Sequence, residues 1–202
     1  MPLHAQAWQD ALKRFGGRVS RRLIYEWEGE SGVVTARTLL RHRDIVPSRR
    51  AVEELLNTKE HRFQQLARHV RMAPSSHQVL RKLSGNNIPI ALVTGTSRTE
   101  VRRVVPNQIL KLFHAVVTGD GVRHGKPHPE PYRTALHRLG VVPRQAIVVE
   151  NAPYGIQSAR RAGAGLVIAI TSSLPRRFLH QAHLIIAWDQ LALVLPYLAG
   201  VN

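Results

Sequence analysis

Apolar residues in the first third of the chain recur at helical spacing. Ala5, Trp8, Ala11, Leu12 and Phe15 fall at steps of three and four and stop at Gly16-Gly17, which predicts a helix with a glycine end. Leu23, Ile24 and Trp27 predict a short second helix closed by Gly29, and Val34 to Leu40 a third. Val52, Leu55, Leu56, Phe63, Leu66 and Val70 predict a long fourth. Strand alternation is absent here, so residues 1–74 are expected to form a small helical bundle. The pattern changes near Met72–Ser76, where Pro74 and two serines interrupt it. From there, short β-branched apolar runs at 88–93, 114–117, 146–149, 165–170 and 183–186 alternate with helical stretches near 76–85, 97–105, 129–139, 154–163 and 189–198. This predicts an α/β core over 75–202, built of parallel βαβ units with helices on both faces. Right-handed crossovers then bring the strand ends to one edge, where open α/β folds place their chemistry.

Length and composition narrow the picture. A chain of 202 residues suits one core with a small cap. It holds no cysteine, which excludes disulfides and thiolate metal sites. No apolar run approaches a membrane span, and the N-terminus has neither a basic n-region nor an apolar h-region. A cytoplasmic location and no membrane partner are therefore expected. The charge is unusual: 29 Lys and Arg against 13 Asp and Glu, formally +16. Such an excess can attract nucleic acid or favour anionic substrates. The arginines are scattered in pairs and aromatic residues make up 5%, too few for an evident base-stacking platform. A solvated basic surface is the expectation, with a nucleic-acid-associated protein as its rival.

Three stretches carry candidate chemistry. In Thr94-Gly95-Thr96-Ser97 a hydroxyl at a strand end is followed by a glycine and a helix entrance, a site for phosphate oxygens. The same string also reads as an N-cap made by Thr96 or Ser97. In Gly125-Lys126-Pro127-His128-Pro129, glycine and proline restrict a lysine that could direct its ammonium at an oxyanion, or simply be solvated. Glu150-Asn151 follows the apolar Ile147-Val148-Val149; an acid at the end of a buried strand needs a partner or a metal, and oxygen ligands suit Mg²⁺. Alternatively, Glu150 caps a helix or pairs with an arginine. His4 could contact substrate or shuttle a proton, though one histidine among 11 is more often a surface residue. Glu26, Glu28 and Glu30 either balance nearby arginines or line a specificity loop, and Asp120 reads as a turn residue.

Taken in order, Thr94, Lys126 and Glu150-Asn151 resemble the second, third and fourth motifs of the haloacid dehalogenase (HAD) superfamily. The strings VTGTSR, VTGDGVRHGKPHPEPY and VVENAPYGIQSARRAG are most similar to the branch of β-phosphoglucomutase and phosphoglycolate-phosphatase-like enzymes. The resemblance implies a Rossmann-like core with a helical cap, and a phosphatase or phosphomutase acting on a small phosphorylated metabolite. It implies Mg²⁺ as cofactor and an aspartyl-phosphate intermediate. By position it makes Thr94, Gly95 and Thr96 phosphate-binding, Lys126 catalytic and phosphate-binding, Glu150 and Asn151 metal-holding, and His4 a possible cap contact. Two features depart from the pattern. The fourth motif is commonly two acids, and Asn151 stands at the second. The family's Asp-x-Asp nucleophile segment has no counterpart, since no such triplet occurs in the chain. The expectation is an N-terminally shortened form that lacks the first, central strand, is poorly stable and has no aspartyl-phosphate activity. Its rival is a catalytically inactive relative that binds a phosphorylated ligand or a partner.

Overall fold

The computed structural model describes residues 2–68 and 74–200. Four helices come first: α1 (Pro2–Lys13), α2 (Arg21–Glu26), α3 (Gly32–Arg41) and α4 (Arg49–Leu66). Hydroxyls write three of their starts. Ser20, Ser31 and Ser48 stand ahead of α2, α3 and α4 and accept from the N–H groups of Leu23, Val34 and Ala51. Each thereby satisfies a donor that the helix start leaves without a partner. The apolar faces read from the sequence meet as one cluster, in which Ala5, Trp8, Ala11 and Leu12 pack on Ile24, Leu39, Leu40 and Leu55.

The second part runs α5 (Pro74–Gly85), β1 (Ala91–Val93), α6 (Arg98–Val104), α7 (Asn107–Leu110), β2 (Ala115–Val117), α8 (Glu130–Leu139), β3 (Ile147–Glu150), α9 (Pro153–Arg161), β4 (Leu166–Ile170), β5 (Leu184–Ile186) and α10 (Leu191–Leu198). All strand pairings are parallel, with β1 on β2 and the order β3-β4-β5. β4 shows why its run is apolar at every position. Val167 and Ala169 face a cluster with Ile156, Ala159 and Leu179, while Ile168 and Ile170 face another with Ile186, Leu191 and Leu195. A strand covered on both sides has no polar face. Gly140, at φ 64°, ends α8 in the left-handed conformation that glycine adopts without steric cost.

The α/β class is as expected, and the ladders form two separate sheets: among the described residues no backbone pairing joins β1 to β3. β1 is shorter than the run at 88–93 suggests. Pro89 has no N–H to donate, and the Ile90 N–H turns to His114 Nδ1 at 3.2 Å instead of to a ladder. The short α7 has no counterpart in the sequence reading; it follows Pro106, whose carbonyl accepts from Leu110 N–H at 3.1 Å. Met1, Val70 and, of the expected Met72–Ser76 boundary, Met72 and Ala73 lie outside the described residues, while Pro74 opens α5. Among the described residues no helix is long and apolar enough to cross a membrane.

Candidate active site

The carboxyl ends of β1 and β3 open into a cleft of about 920 Å³ between the helical part and the α/β part. Thr94, Gly95, Thr96, Lys126, Glu150, Asn151 and His4 all line it, so the residues singled out in the sequence are brought together. Lys126 is the hub. Its side chain is 6% exposed, and its ammonium donates to the Val93 carbonyl at the end of β1 (3.2 Å) and to the Glu150 carboxylate at the end of β3. The glycine and prolines around it therefore present a buried cation. The solvated-lysine reading does not hold for its position.

Glu150 is equally enclosed, at 7% side-chain exposure. One carboxylate oxygen accepts from both Lys126 and the Tyr132 hydroxyl, and the other accepts from the Asn151 backbone N–H at 3.1 Å. Burial, followed by the Glu150 charge and hydrogen bond, pushes the Tyr132 hydroxyl well above its ordinary range, so it remains a donor. Gly155 makes room for this group, since a Cβ there would run into the Glu150 carboxylate. Asn151 turns its amide nitrogen toward Ser172 Oγ at 3.5 Å.

Thr94 continues the β1 ladder through its N–H to Val117 O (3.0 Å), and its hydroxyl accepts from Thr96 N–H at 3.1 Å. With an acceptor site filled, that hydroxyl keeps its own proton for another oxygen. The N-cap of α6 is Ser97, which accepts from Glu100 N–H at 3.3 Å, so Thr94 and Thr96 are left to the cleft. Asp120 is more than a turn residue. Both its oxygens accept from Arg98 N–H, at 3.0 and 3.2 Å, fastening the 118–121 turn to the start of α6.

The segment 28–31 forms the opposite wall. Gly29 adopts φ +98°, and a Cβ on Gly95 would lie 3.2 Å from the Glu30 carbonyl and 3.3 Å from that of Gly29. The Glu28 carbonyl accepts from Tyr154 N–H at 3.2 Å. Glu28 and Glu30 thus line the cleft, whereas Glu26 pairs outside with Arg22 at 2.9 Å. Burial pushes Glu28 up to about 7, against the pull of the Lys59 charge, and raises Glu30 against the Ser31 N–H. His4 stacks on Phe63 with ring centres 3.9 Å apart; burial and then the Lys59 charge lower it to about 3. A shuttle needs a group that titrates near neutrality, so His4 is left as a neutral contact.

Six of the 13 acids, Glu28, Glu30, Glu60, Glu100, Asp120 and Glu150, line this cleft in a chain of net charge +16. The local field is therefore mixed rather than basic, which suits an anion bound together with a cation. Sequence reading missed Tyr132, Lys59, Glu60 and Glu100. Tyr132 carries the plain pattern of a core aromatic, and the other three sit on helix faces whose neighbours only the tertiary fold supplies.

A family model described as haloacid dehalogenase-like hydrolase matches residues 1–169. The (DL)-glycerol-3-phosphatase 1 of Arabidopsis thaliana, described as mitochondrial, is 28% identical over 191 residues, which cover 91% of this chain and 64% of that protein. This chain thus spans somewhat less than two thirds of that relative. The fructose-1-phosphate phosphatase YqaB of Escherichia coli is 29% identical over 169 residues, 82% of this chain and 87% of that protein. A solved structure of a candidate β-phosphoglucomutase from Bacteroides vulgatus superposes with a TM-score of 0.75 at 31% identity, covering 92% of this chain and 76% of that one.

Proposed function

This chain belongs to the haloacid dehalogenase-like hydrolase family, and on that premise we propose that its cleft binds the phosphate of a small phosphorylated sugar or polyol for phosphomonoester hydrolysis or phosphoryl transfer. One observation carries the reading: a buried ammonium, Lys126, bridges the ends of β1 and β3 beside the free donor of Thr94. Buried cations and hydroxyls aimed at one point neutralise phosphate oxygens far better than solvated ones. The relatives that act on glycerol phosphate and fructose 1-phosphate point to a polyhydroxylated substrate. Glu28 and Glu30 on the helical wall offer acceptors for its hydroxyls. We also propose that 1–74 acts as cap and 75–202 as core.

The donor set fits Mg²⁺. Glu150 supplies a carboxylate and Asn151 an amide oxygen, both hard ligands at the cleft wall, and Mg²⁺ typically keeps several waters beside one or two carboxylates. Bound there, it would supply Lewis-acid neutralisation of phosphate charge. Thr94 and the Gly95 backbone N–H would orient the phosphate, with the Thr96 N–H steadying the Thr94 hydroxyl, and Lys126 would hold its charge. No nucleophile is assigned among residues 1–202, which contain no Asp-x-Asp. The test is release of phosphate from glycerol phosphate and hexose phosphates with Mg²⁺, by the 202-residue chain and by any longer form encoded upstream of Met1. Mg²⁺-dependent turnover that Lys126→Met abolishes supports the reading. Phosphate binding without turnover in any form replaces it with a ligand-binding role.

A further inference from the structure

On the outer side of the Lys126 loop, three side chains converge that the phosphate site does not use: His124, His128 and Glu130. Each offers a ligand atom within 4.8 Å of the others. His124 Nδ1 lies 2.9 Å from Glu130 Oε2, His128 Nδ1 lies 3.9 Å from the same oxygen, and the two imidazole centres are 4.6 Å apart. A tetrahedral zinc ion with ligands at roughly 2.0–2.1 Å separates them by about 3.3 Å from one another. The group is therefore already close to the edges of such a tetrahedron. Both histidines are exposed, and closing it turns His128 away from the Glu130 N–H that its Nδ1 now accepts from at 3.2 Å.

The backbone beneath them is fixed in place. His128 N–H donates to the Gly125 carbonyl at 3.0 Å, the His128 carbonyl accepts from Ser158 Oγ at 2.6 Å, and the Pro127 carbonyl accepts from Arg161 at 3.0 Å. The Glu130 carboxylate is oriented by the N–H groups of Arg123 (2.7 Å) and His124 (3.0 Å). Outer partners of this kind hold ligating carboxylates in metal sites. The Lys126 ammonium points the other way, into Val93 and Glu150, so it does not compete for the position.

We propose that His124, His128 and Glu130 form a binding site for a zinc-class transition ion, distinct from the oxygen-lined position at Glu150. Two imidazoles and one carboxylate select Zn²⁺, Co²⁺ or Ni²⁺ over Mg²⁺, which prefers oxygen throughout. The ion replaces the direct His124–Glu130 hydrogen bond and the bond that His128 Nδ1 accepts from Glu130 N–H (3.2 Å), and leaves its fourth position to water. It ties the loop that carries Lys126 to the first turn of α8, bracing the lysine from behind.

The test is Zn²⁺ titration of the 202-residue protein against a chromogenic chelator, in a large excess of Mg²⁺. One tight equivalent is expected. His124→Ala and His128→Ala should each weaken it by more than the roughly 10–100-fold that losing an outer partner costs. The double variant should lose it, and His137→Ala, which removes another exposed histidine of α8, should keep it. Co²⁺ should give the visible absorption of a four-coordinate site in the wild type and His137→Ala, and not in the double variant. Zn²⁺ should raise the melting temperature of the wild type and not of the double variant. Absence of a tight equivalent, equal binding by the double variant, or displacement by Mg²⁺ overturns the proposal.

Discussion

Replacing Lys126 with methionine removes the charge from the middle of the site while keeping most of the side-chain volume. In the native chain Lys126 and Glu150 are 6% and 7% exposed, and the ammonium also reaches the Val93 carbonyl and stands 5.1 Å from the Tyr132 ring centre. After Lys126→Met the Glu150 carboxylate keeps only the Tyr132 hydroxyl and the Asn151 N–H and has no counter-charge. Breaking a buried ion pair in this way costs about 3–5 kcal/mol. Against a total stability of about 5–15 kcal/mol this is a large fraction. With an m-value of about 2–3 kcal/mol/M, the urea midpoint should fall by roughly 1–2.5 M. The companion variant is Lys126→Met/Glu150→Gln, in which the stranded charge is gone and an amide still meets Tyr132. It should recover most of the loss and lie within about 2 kcal/mol of wild type. Urea unfolding of the four proteins in the cycle measures this. A Lys126→Met penalty under about 1 kcal/mol, or single penalties that merely add, refutes a tightly coupled buried pair.

Other perturbations act on the same machinery. Tyr132→Phe deletes one donor to Glu150 at a buried position and should cost about 1.5–3 kcal/mol in the same unfolding assay, with no change in helix content. Gly155→Ala puts a methyl into the Glu150 carboxylate and should cost about 1–3 kcal/mol through overpacking, read as a lowered melting temperature. Glu100 is pushed up to about 7 by burial, then by the hydrogen bond and charge of Glu60. The folded chain therefore holds a proton that the unfolded chain releases between its ordinary value of 4.5 and about 7, so stability falls as pH rises through that window. Glu100→Gln should lessen this dependence, leaving the part that Glu28 contributes in the same window, and be the more stable protein above pH 7, by about 1 kcal/mol once solvent screening of a half-exposed group is allowed for. Paired melts across pH 4.5–8 check both sign and size.

Much of this architecture is legible in residue patterns because it is local. Ala5, Trp8, Ala11 and Leu12 announce a helix face without knowledge of what covers it, and the serines ahead of α2, α3 and α4 mark their own helix starts. The uniform apolarity of β4 follows from its two packed faces. The members of the site are legible for a related reason: Thr94, Lys126 and Glu150 each stand next to a glycine, proline or strand end that shapes the chain there. What they do to one another is not local. Tyr132 reaches Glu150 across 18 residues, Asp120 fastens Arg98 across 22, and Gly29 meets Gly95 only because the helical part folds over the strand ends. His4 reads as a possible proton carrier until its burial against Phe63 and Lys59 is seen. Such contacts depend on three-dimensional closure, which periodicity and composition do not encode.

Binding of inorganic phosphate by the folded 202-residue chain, followed calorimetrically with and without Mg²⁺, tests most directly whether Thr94, Lys126 and Glu150 act as one phosphate site. One equivalent should bind, more tightly with Mg²⁺ present. Thr94→Val should weaken it about tenfold, the equivalent of one lost hydrogen bond of about 1.4 kcal/mol. Lys126→Met, assayed without urea, should abolish it, while His124→Ala/His128→Ala should leave it unchanged. No phosphate binding by the wild type, or equal binding by Lys126→Met, would contradict the assignment of this cleft.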